Sequence, residues 1–367
     1  MRILWITNIP SPYRVDFFSE LGKYCELTVL FERAASLERD SSWKQENFAN
    51  FRGIVMSSIR FHVDRGFTLD AIKMLRREKY DRIIVSDIAS PTGILTISYL
   101  KWKRIAYYLE SDGGFPGTGV GAKEWFKRNL LKGAVGYFST AELHDAYYKT
   151  YGAQAGQLIR YHFSSVKNEQ LLSEVISDKE RAMLKKQLGM TEKNIVLSIG
   201  QFIYRKGIDV LLKAHAEMDD DVGLYIIGGT PTQDYLNIVE ENHLRNVHFL
   251  PFMAKDEVWR YYRAADIFAL PTREDIWGLV VNEAMANGLP VITTDRCISG
   301  LEMVKDGWNG YIVPSEDYIK LSESIHKALQ WYENGAQQRK NALDVARKYT
   351  IERMVEDHIK VLICEDE

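Results

Sequence analysis

The amino-acid sequence predicts an α/β protein with two doubly wound parallel-sheet domains. Three observations support this prediction. The chain has 367 residues, which is more than one hydrophobic core usually holds. Short apolar runs alternate with longer helical patterns, as in a parallel sheet covered by helices. The charged stretch Lys167–Lys193, mostly helical in pattern, interrupts this alternation before it resumes, and therefore marks a domain junction.

The first domain is expected to span residues 1–165. It opens with the apolar run RILWIT, which reads as a buried strand ending in a proline-rich turn. The predicted strands are Arg2–Thr7, Glu26–Phe31, Arg82–Ser86, Arg104–Leu109 and Ala134–Ser139, with helices at Val15–Tyr24 and Ala141–Tyr151.

The second domain is expected to span residues 166–350, and its first strand starts at Asn194. Further strands are predicted at Gly223–Ile227, Val247–Leu250, Ile267–Leu270 and Val291–Thr294, with a helix at Gly278–Asn287. Residues 351–367 form a C-terminal helix that we expect to pack back toward the first domain. Doubly wound sheets bind ligands at the carboxyl ends of their strands, so we expect the ligand cleft between the domains.

Composition excludes several classes of protein. A net charge of −3 offers no global basic field for nucleic acid. Cys25, Cys297 and Cys364 are too scattered for a disulfide framework or a zinc site, which fits a reducing cytosol. Prolines break the N-terminal apolar run, and Asp87, Pro91 and Gly93 interrupt the run at Ile83–Leu100. We therefore expect a cytoplasmic protein whose membrane contact, at the inner face of the plasma membrane, is peripheral.

The segment Thr272–Pro290 has the features of a phosphate site. Its loop delivers a helix N-terminus at Gly278 to the top of a parallel sheet, where unpaired N–H groups suit a diphosphate. Glu283 follows roughly 7–8 Å along the helix axis and is placed to reach a ribose. Asp275 precedes the helix and is placed to reach a sugar hydroxyl.

A second anion-binding element lies in Ser198–Ala214. This stretch reads as a strand, a glycine-containing turn and a helix, with Arg205 and Lys206 in the turn beside Gly207. Cations at a helix N-terminus can neutralise a departing nucleotide diphosphate.

These residues resemble a known family. The segment Asp275–Glu283 is similar to the Glu-x7-Glu motif of glycosyltransferase family 4, a group of retaining enzymes with the GT-B fold. GQFIYRKG stands where that family has its Gly-Arg-x4-Lys-Gly turn, so the resemblance covers essentially the whole chain. It looks like the bacterial enzymes of surface polysaccharide or lipid-linked glycan assembly.

The resemblance implies a role for each matching position. Asp275 would contact the donor sugar, Glu283 the ribose and Lys206 the diphosphate, which also meets the helix start at Gly278 and the backbone of Leu279 and Val280. The stretch Leu250–Met253, which contains Phe252, stands where the family lays its nucleobase against backbone.

The chain departs from the family pattern at two positions. The first motif acid is Asp275 rather than Glu, and Glu274 beside it is an alternative contact for the sugar. The arginine of the diphosphate turn is replaced by Gln201, and Arg205 is a candidate to supply the missing charge.

Several features of the first domain allow two interpretations. Glu110 and Asp112 end a predicted strand and are expected to point into the cleft, where Asp112 contacts an acceptor or merely caps a loop. The glycines of Gly113–Ala122 suggest an acceptor-side loop rather than a dinucleotide site. Arg14 reaches a phosphate or an anionic acceptor, or pairs with Asp16 or Glu20.

The stretch Ala122–Gly133 has the pattern of a basic amphipathic helix. One interpretation lays Lys127, Arg128 and their neighbours on an anionic membrane. The other is a helix packed on its own sheet with a solvated basic face.

The predicted function is retaining transfer of a hexose-type sugar from a nucleotide sugar to a hydroxyl of a glycan or lipid-linked glycan. A UDP-sugar is the favoured donor. No cofactor or metal is expected, because Lys206 and the helix end supply the counter-charge. The alternatives are a nucleotide-sugar 2-epimerase of the same fold and an inactive nucleotide-sugar-binding scaffold.

Overall fold

The computed structural model describes residues 1–34, 48–57, 59–62, 65–86, 88–331 and 337–364. The chain divides into two compact units. One comprises Met1–Ser165 with Thr350–Glu367, and the other comprises Val166–Tyr349.

Strands and helices alternate along both units. The strands are β1 (Arg2–Thr7), β2 (Glu26–Phe31), β3 (Arg52–Val55), β4 (Ile59–His62), β5 (Arg65–Phe67), β6 (Arg82–Val85), β7 (Tyr108–Glu110), β8 (Gly136–Ser139), β9 (Leu158–Arg160), β10 (Asn194–Ile199), β11 (Val222–Ile227), β12 (Val247–Leu250), β13 (Ile267–Leu270), β14 (Val291–Thr294) and β15 (Gly310–Val313). The helices are α1 (Pro12–Leu21), α2 (Asp70–Arg77), α3 (Pro91–Lys103), α4 (Ala122–Leu131), α5 (Glu142–Thr150), α6 (Asp178–Gln187), α7 (Ile208–His215), α8 (Gln233–Glu241), α9 (Lys255–Ala264), α10 (Leu279–Ala286), α11 (Ile298–Met303), α12 (Tyr318–Leu329), α13 (Gln337–Ala346) and α14 (Ile351–Leu362).

Each unit is built on one parallel sheet. The first has the order β3-β2-β1-β6-β7-β8-β9, and the second has the order β12-β11-β10-β13-β14-β15. In both sheets the second and third strands of the order are added on one side of the first strand, β1 or β10. The later strands are then added on its other side. Ligands of doubly wound sheets bind where this order reverses. The reversal lies between β1 and β6 in the first unit and between β10 and β13 in the second. The predicted fold class, two Rossmann-like α/β domains, is confirmed.

The core of the first unit includes the last helix of the chain. Helix α14 begins at Thr350, whose side chain accepts a hydrogen bond from the Arg353 N–H at 3.2 Å, and it packs on α1. The buried ring of His358 stacks on Phe138 with a centroid distance of 4.4 Å. Asp357 accepts a hydrogen bond from His162 at 2.7 Å. Residues 350–364 therefore complete the first unit, although the whole second unit precedes them in sequence.

Three predicted elements differ from the structure by three residues or more at one end. The helix expected at Val15–Tyr24 spans Pro12–Leu21, so it begins at the proline that the sequence suggested would belong to a turn. The strand expected at Arg104–Leu109 begins only at Tyr108, because Arg104 ends α3 in the left-handed conformation with φ 55° and its N–H caps the helix. The helical pattern of Lys167–Lys193 forms an α-helix only at α6, where the side chain of Ser177 and that of Glu180 cap each other's backbone N–H groups, and a short 3-10 helix at Asn168–Gln170.

Among the described residues, no helix is both long and apolar enough to cross a membrane.

Candidate functional site

The loops after β10 and β13 meet because these strands are neighbours at the reversal of the second sheet. The first loop ends at Gly207, which begins α7, and the second starts at Pro271. Gly207 has φ 67°, and a Cβ there would lie 2.0 Å from the carbonyl oxygen of Pro271. Only glycine allows the two loops to approach this closely.

Lys206 and Asp275 form an ion pair where these loops meet. The Lys206 Nζ lies 2.5 Å from Asp275 Oδ2, and the two side chains are only 15% and 10% exposed. The backbone of Asp275 is fixed as well, since its N–H donates to the Arg296 carbonyl and its carbonyl accepts from the Ile298 N–H. The sequence placed these residues 69 positions apart on separate elements, and the topology brings them together.

Arg205 lies on the outer side of this pair. Its Nη1 donates to the Glu274 carbonyl at 2.9 Å and lies 3.8 Å from Asp275 Oδ1. The Glu274 carboxylate faces elsewhere, 3.6 Å from the guanidinium of Arg296, and is half exposed. Of the two adjacent acids, Asp275 is thus the one paired with Lys206.

A second glycine, Gly278, lies directly before α10 and fixes the backbone at the start of that helix. Gly278 has φ 95°, and its carbonyl accepts a hydrogen bond from Ser299 Oγ at 3.1 Å. A Cβ at this position would lie 2.9 Å from the sulfur of Cys297. Trp277 is buried and donates its indole N–H to Asn282 at 2.7 Å. Leu279 and Val280, the first residues of α10, therefore follow a turn whose backbone is fixed by these contacts of Trp277 and Gly278.

Glu283 lies on the same helix, one turn further. Its carboxylate accepts a hydrogen bond from the Tyr262 hydroxyl at 3.2 Å. Burial, then the charge of Glu283, raises the pKa of Tyr262 well above its usual value, so the phenol stays protonated and donates. This hydrogen bond fixes the orientation of the Glu283 carboxylate.

Gln201 and Phe252 both follow strands of the second sheet and are exposed. Gln201 comes two residues after β10, and its carbonyl accepts from the Ile203 N–H at 2.8 Å. Phe252 follows β12 by two residues, and its side chain is half exposed. A Cβ at Gly228 would lie 2.1 Å from the Gly200 carbonyl, so the neighbouring strand ends of β10 and β11 are also tightly apposed.

Arg273 is a site residue that sequence reasoning missed. Its guanidinium binds both carboxylate oxygens of Asp209, at 2.8 and 2.7 Å, and donates to the Tyr204 carbonyl at 2.6 Å. A third carboxylate contact goes to Glu316, and the Arg273 N–H donates to the Arg205 carbonyl at 2.9 Å. Hydrogen bonding to Asp209 raises the pKa of Arg273, while the pKa of Asp209, which burial alone would raise, is lowered by Arg273.

These contacts tie the loop that carries Asp275 to the turn that carries Lys206. The only sequence signal for Arg273 is its place inside TREDIW, because its partners lie far away in sequence.

In the first unit, Asp112 belongs to a buried charge cluster. Arg14 is 4% exposed and donates to both oxygens of Glu110, at 2.8 and 3.0 Å, and also binds Asp112. Asp112 is one-third exposed and accepts from the Tyr13 hydroxyl at 2.8 Å.

The expectation that Glu110 points into an open cleft is wrong. Its side chain is fully buried, with further hydrogen bonds from Ser86 and Tyr161. Burial alone would raise the pKa of Glu110, but the charge of Arg14 outweighs it and leaves the pKa below its usual value. The partners of Arg14 are Glu110 and Asp112 instead of Asp16 or Glu20.

Across the described ranges, no three histidine, cysteine or carboxylate side chains are grouped as metal ligands would be.

Known proteins are similar to this chain in sequence and in fold. Residues 180–345 match the family model described as glycosyl transferases group 1. They form a group 1 glycosyl transferase domain. An uncharacterized glycosyltransferase of Methanocaldococcus jannaschii is 26% identical over 82% of this chain and 88% of its own length. This matched domain contains Lys206, Asp275 and Glu283.

Two further relatives define the extent of the similarity. A D-inositol 3-phosphate glycosyltransferase of Mycolicibacterium gilvum is 36% identical over 38% of this chain, which spans only 33% of that protein. The crystal structure of Anabaena HepE in complex with UDP covers 99% of both chains with a TM-score of 0.76 at 17% identity. The fold is therefore of the GT-B type over essentially the whole chain.

Proposed function

We propose that this protein is a glycosyltransferase that moves a hexose from a nucleotide sugar to a hydroxyl of a glycan or lipid-linked glycan, with retention of anomeric configuration. The observation that carries the proposal is the buried Lys206–Asp275 pair beside the glycine-capped start of α10. It combines a cation, a helix N-terminus and a carboxylate at the strand ends where doubly wound sheets bind ligands.

Each group has a role in the proposed reaction. Lys206, Arg205 and the N–H groups of Leu279 and Val280 hold the diphosphate, and Glu283 binds the ribose. The bond between the anomeric carbon and the diphosphate oxygen breaks, and these groups stabilise the negative charge that builds on that oxygen. The acceptor hydroxyl then bonds to the anomeric carbon from the same face, and its proton passes to the departing phosphate.

Asp275 is proposed to contact a hydroxyl of the transferred sugar. Its carboxylate already lies against Lys206, so diphosphate binding would bring a second anion to the same ammonium. Part of the Lys206 interaction would then pass to the diphosphate, and Asp275 would be freed to accept from the sugar. Glu274, half exposed and near Arg296, is less well placed for that contact.

UDP-sugars are the proposed donors. The support is the similarity to HepE, whose structures are described as complexes with UDP and with UDP-glucose. The side chains proposed to line the nucleoside are Gln201 and Phe252, which follow β10 and β12 and are exposed.

The acceptor is proposed to meet the first unit at Asp112. This carboxylate is one-third exposed, while Arg14 and Tyr13 hold its two oxygens in place. A fixed, partly exposed carboxylate is suited to accept a hydrogen bond from a sugar hydroxyl. The glycine-containing segment after it, Gly113–Gly121, lacks helix and strand and would adapt to the acceptor.

We further propose that the reaction needs no metal and takes place in the cytoplasm at the inner face of the plasma membrane. Lys206 and the α10 terminus would supply the counter-charge that a metal supplies in other transferases. Activity that disappears with EDTA and returns with manganese would contradict the first part.

The test is a donor screen followed by product analysis. The chain is incubated with UDP-, GDP- and ADP-hexoses, with and without a pool of glycan acceptors, and the anomeric signals are followed by NMR. We expect UDP release that depends on acceptor, and a product with the donor's anomeric configuration. An inverted product would contradict retention, and a C2-epimerised sugar formed without acceptor would indicate an epimerase. UDP binding without turnover on any acceptor would indicate a scaffold.

A further inference from the structure

Two consecutive residues of helix α9 hold Glu283 in place. The Tyr262 hydroxyl donates to the Glu283 carboxylate at 3.2 Å. Arg263 Nε donates to the side-chain oxygen of Asn287 at 3.1 Å, and the side-chain amide of Asn287 donates to the Glu283 carbonyl at 2.9 Å. Glu283 is therefore held both at its side chain and at its backbone. We call Tyr262, Arg263 and Asn287 the Glu283 clamp.

The Tyr262 ring is itself fixed by the core of the second unit. Its side chain is fully buried, as is that of Asn287. The ring centroid of Tyr262 lies 5.7 Å from that of Phe268 in β13 and 6.5 Å from that of Trp259 in α9. A side chain packed among such neighbours is confined to one position. The hydroxyl of Tyr262 is therefore a fixed point to which the Glu283 carboxylate is attached.

The Tyr262 hydroxyl donates to the carboxylate rather than to its other neighbour. It has a single hydrogen, and the Val280 carbonyl lies 3.4 Å away, compared with 3.2 Å for the Glu283 carboxylate. The ionised carboxylate is the nearer and the stronger acceptor. Because burial raises the pKa of Tyr262 well above its usual value, the phenol keeps this hydrogen at neutral pH.

The clamp prepares Glu283 for a ligand that brings two adjacent hydroxyls. A glutamate side chain has three rotatable bonds, so a ligand that must order it binds more weakly. The hydrogen bond from Tyr262 has already restricted the Glu283 carboxylate. A carboxylate has about four acceptor positions, of which Tyr262 takes one. A carboxylate held in one orientation can accept from two neighbouring hydroxyls at once, and the 2′ and 3′ hydroxyls of a ribose are such a pair.

On the basis of the function proposed above, in which Glu283 binds the ribose, we propose that the Glu283 clamp makes the donor site selective for ribonucleotides over 2′-deoxyribonucleotides. Tyr262 is the positioning residue, since it acts on the ligand only through Glu283. The site would thus favour UDP-, GDP- and ADP-sugars and disfavour a nucleotide sugar built on 2′-deoxyribose, which offers Glu283 one hydroxyl fewer.

Isothermal titration with two ligands tests the proposal. UDP has both ribose hydroxyls, and 2′-deoxy-UDP lacks one of them. We expect wild-type protein to bind UDP about tenfold more tightly than 2′-deoxy-UDP, the loss expected for one hydrogen bond to a charged group. Tyr262→Phe keeps the ring and removes the hydroxyl. It should raise the Kd for UDP about fivefold and reduce the ratio of the two Kd values to about three or less.

The ratio separates positioning from a loss of stability. A smaller fraction of folded protein would alter the measured binding of both nucleotides alike and would leave the ratio of their Kd values unchanged. Tyr261→Phe is the matched control, because it makes the same change at the neighbouring buried tyrosine of α9, and it should bind both nucleotides like wild type. If Tyr262→Phe does not fold, Arg263→Met removes the backbone arm of the clamp and should also reduce the ratio.

Glu283→Gln distinguishes failure of the clamp from failure of the proposed function. We expect this variant to raise the Kd for UDP more than tenfold, because the ribose loses its charged acceptor. Unchanged UDP binding by Glu283→Gln would overturn the ribose assignment and the clamp together. Weaker UDP binding by Glu283→Gln, with a wild-type Kd ratio in Tyr262→Phe, would overturn the clamp alone. Wild-type protein that binds UDP and 2′-deoxy-UDP equally well would also contradict the proposed selectivity.

Discussion

Replacing Lys206 by glutamine removes the cation of the proposed diphosphate site and keeps a side chain of similar length. At 2.5 Å and an effective dielectric constant of about 20, the gross attraction between Lys206 and Asp275 is about 7 kcal/mol, most of which desolvation of the two groups offsets. A lost charge-assisted hydrogen bond to phosphate typically costs about 1.5–3 kcal/mol. We therefore expect Lys206→Gln to raise the Kd for UDP by about 10- to 100-fold.

The same substitution also leaves Asp275 buried without its partner. This should lower the free energy of unfolding by about 3–5 kcal/mol, so stability must be separated from binding. The double variant Lys206→Gln/Asp275→Asn removes both charges and should recover much of the melting temperature but none of the UDP affinity. Arg205→Gln is the matched control, because Arg205 is half exposed and 3.8 Å from Asp275, and its effect on the Kd should be several-fold smaller.

The assay is isothermal titration of UDP into each variant, with melting temperatures measured in parallel. A Kd for Lys206→Gln within threefold of wild type would refute the assignment of Lys206 to the diphosphate. Recovery of UDP affinity in the double variant would show that the single variant acts through folding alone.

Three further predictions concern the scaffold of the two sites. Gly278→Ala should lower the free energy of unfolding by about 2–4 kcal/mol in urea titrations, since it combines a positive φ with a close contact to Cys297, whereas Gly189→Ala, at φ 70° in open space, should cost only about 1–2 kcal/mol. Equal losses would contradict the contact argument. Arg273→Lys should weaken UDP binding about tenfold without touching the ligand, because lysine cannot bind both oxygens of Asp209; unchanged UDP affinity would contradict a positioning role. Glu110→Gln should make stability less dependent on pH in the acid range: the folded-state pKa of Glu110 lies below its usual 4.5, so its contribution is present above that pH and is lost as the pH falls through the folded value. A variant as acid-sensitive as wild type in urea titrations at stepped pH would contradict this.

Much of the second unit could be predicted from sequence because its signals are local. The strands at Val247–Leu250, Ile267–Leu270 and Val291–Thr294 are short apolar runs between turn residues, and their bounds are confirmed. The helix stop at Gly288 is equally local, since glycine readily adopts the positive φ of 68° found there. The site motif is readable for the same reason, because Asp275, Gly278 and Glu283 lie on one loop and one helix.

What could not be predicted depends on contacts between distant segments. The edge strands Arg52–Val55, Leu158–Arg160 and Gly310–Val313 were not predicted, and pairing with a neighbouring strand defines them. Arg14 looked like a helix-start residue, but its partners lie 96 and 98 residues later.

The orientation of α4 was hidden in the same way. Both interpretations of Ala122–Gly133 placed its basic side chains outward. For Lys127 that is wrong, because its ammonium lies 4.2 Å from the ring centroid of Tyr151, a residue of a later helix.

The most direct test of the proposed function is a crystal structure of the chain with a UDP-sugar bound. We predict diphosphate oxygens within hydrogen-bonding distance of Lys206 Nζ and of the N–H groups of Leu279 and Val280. We also predict the ribose hydroxyls on Glu283 and a sugar hydroxyl on Asp275. A nucleotide bound with its diphosphate away from Lys206 and the start of α10 would contradict the account.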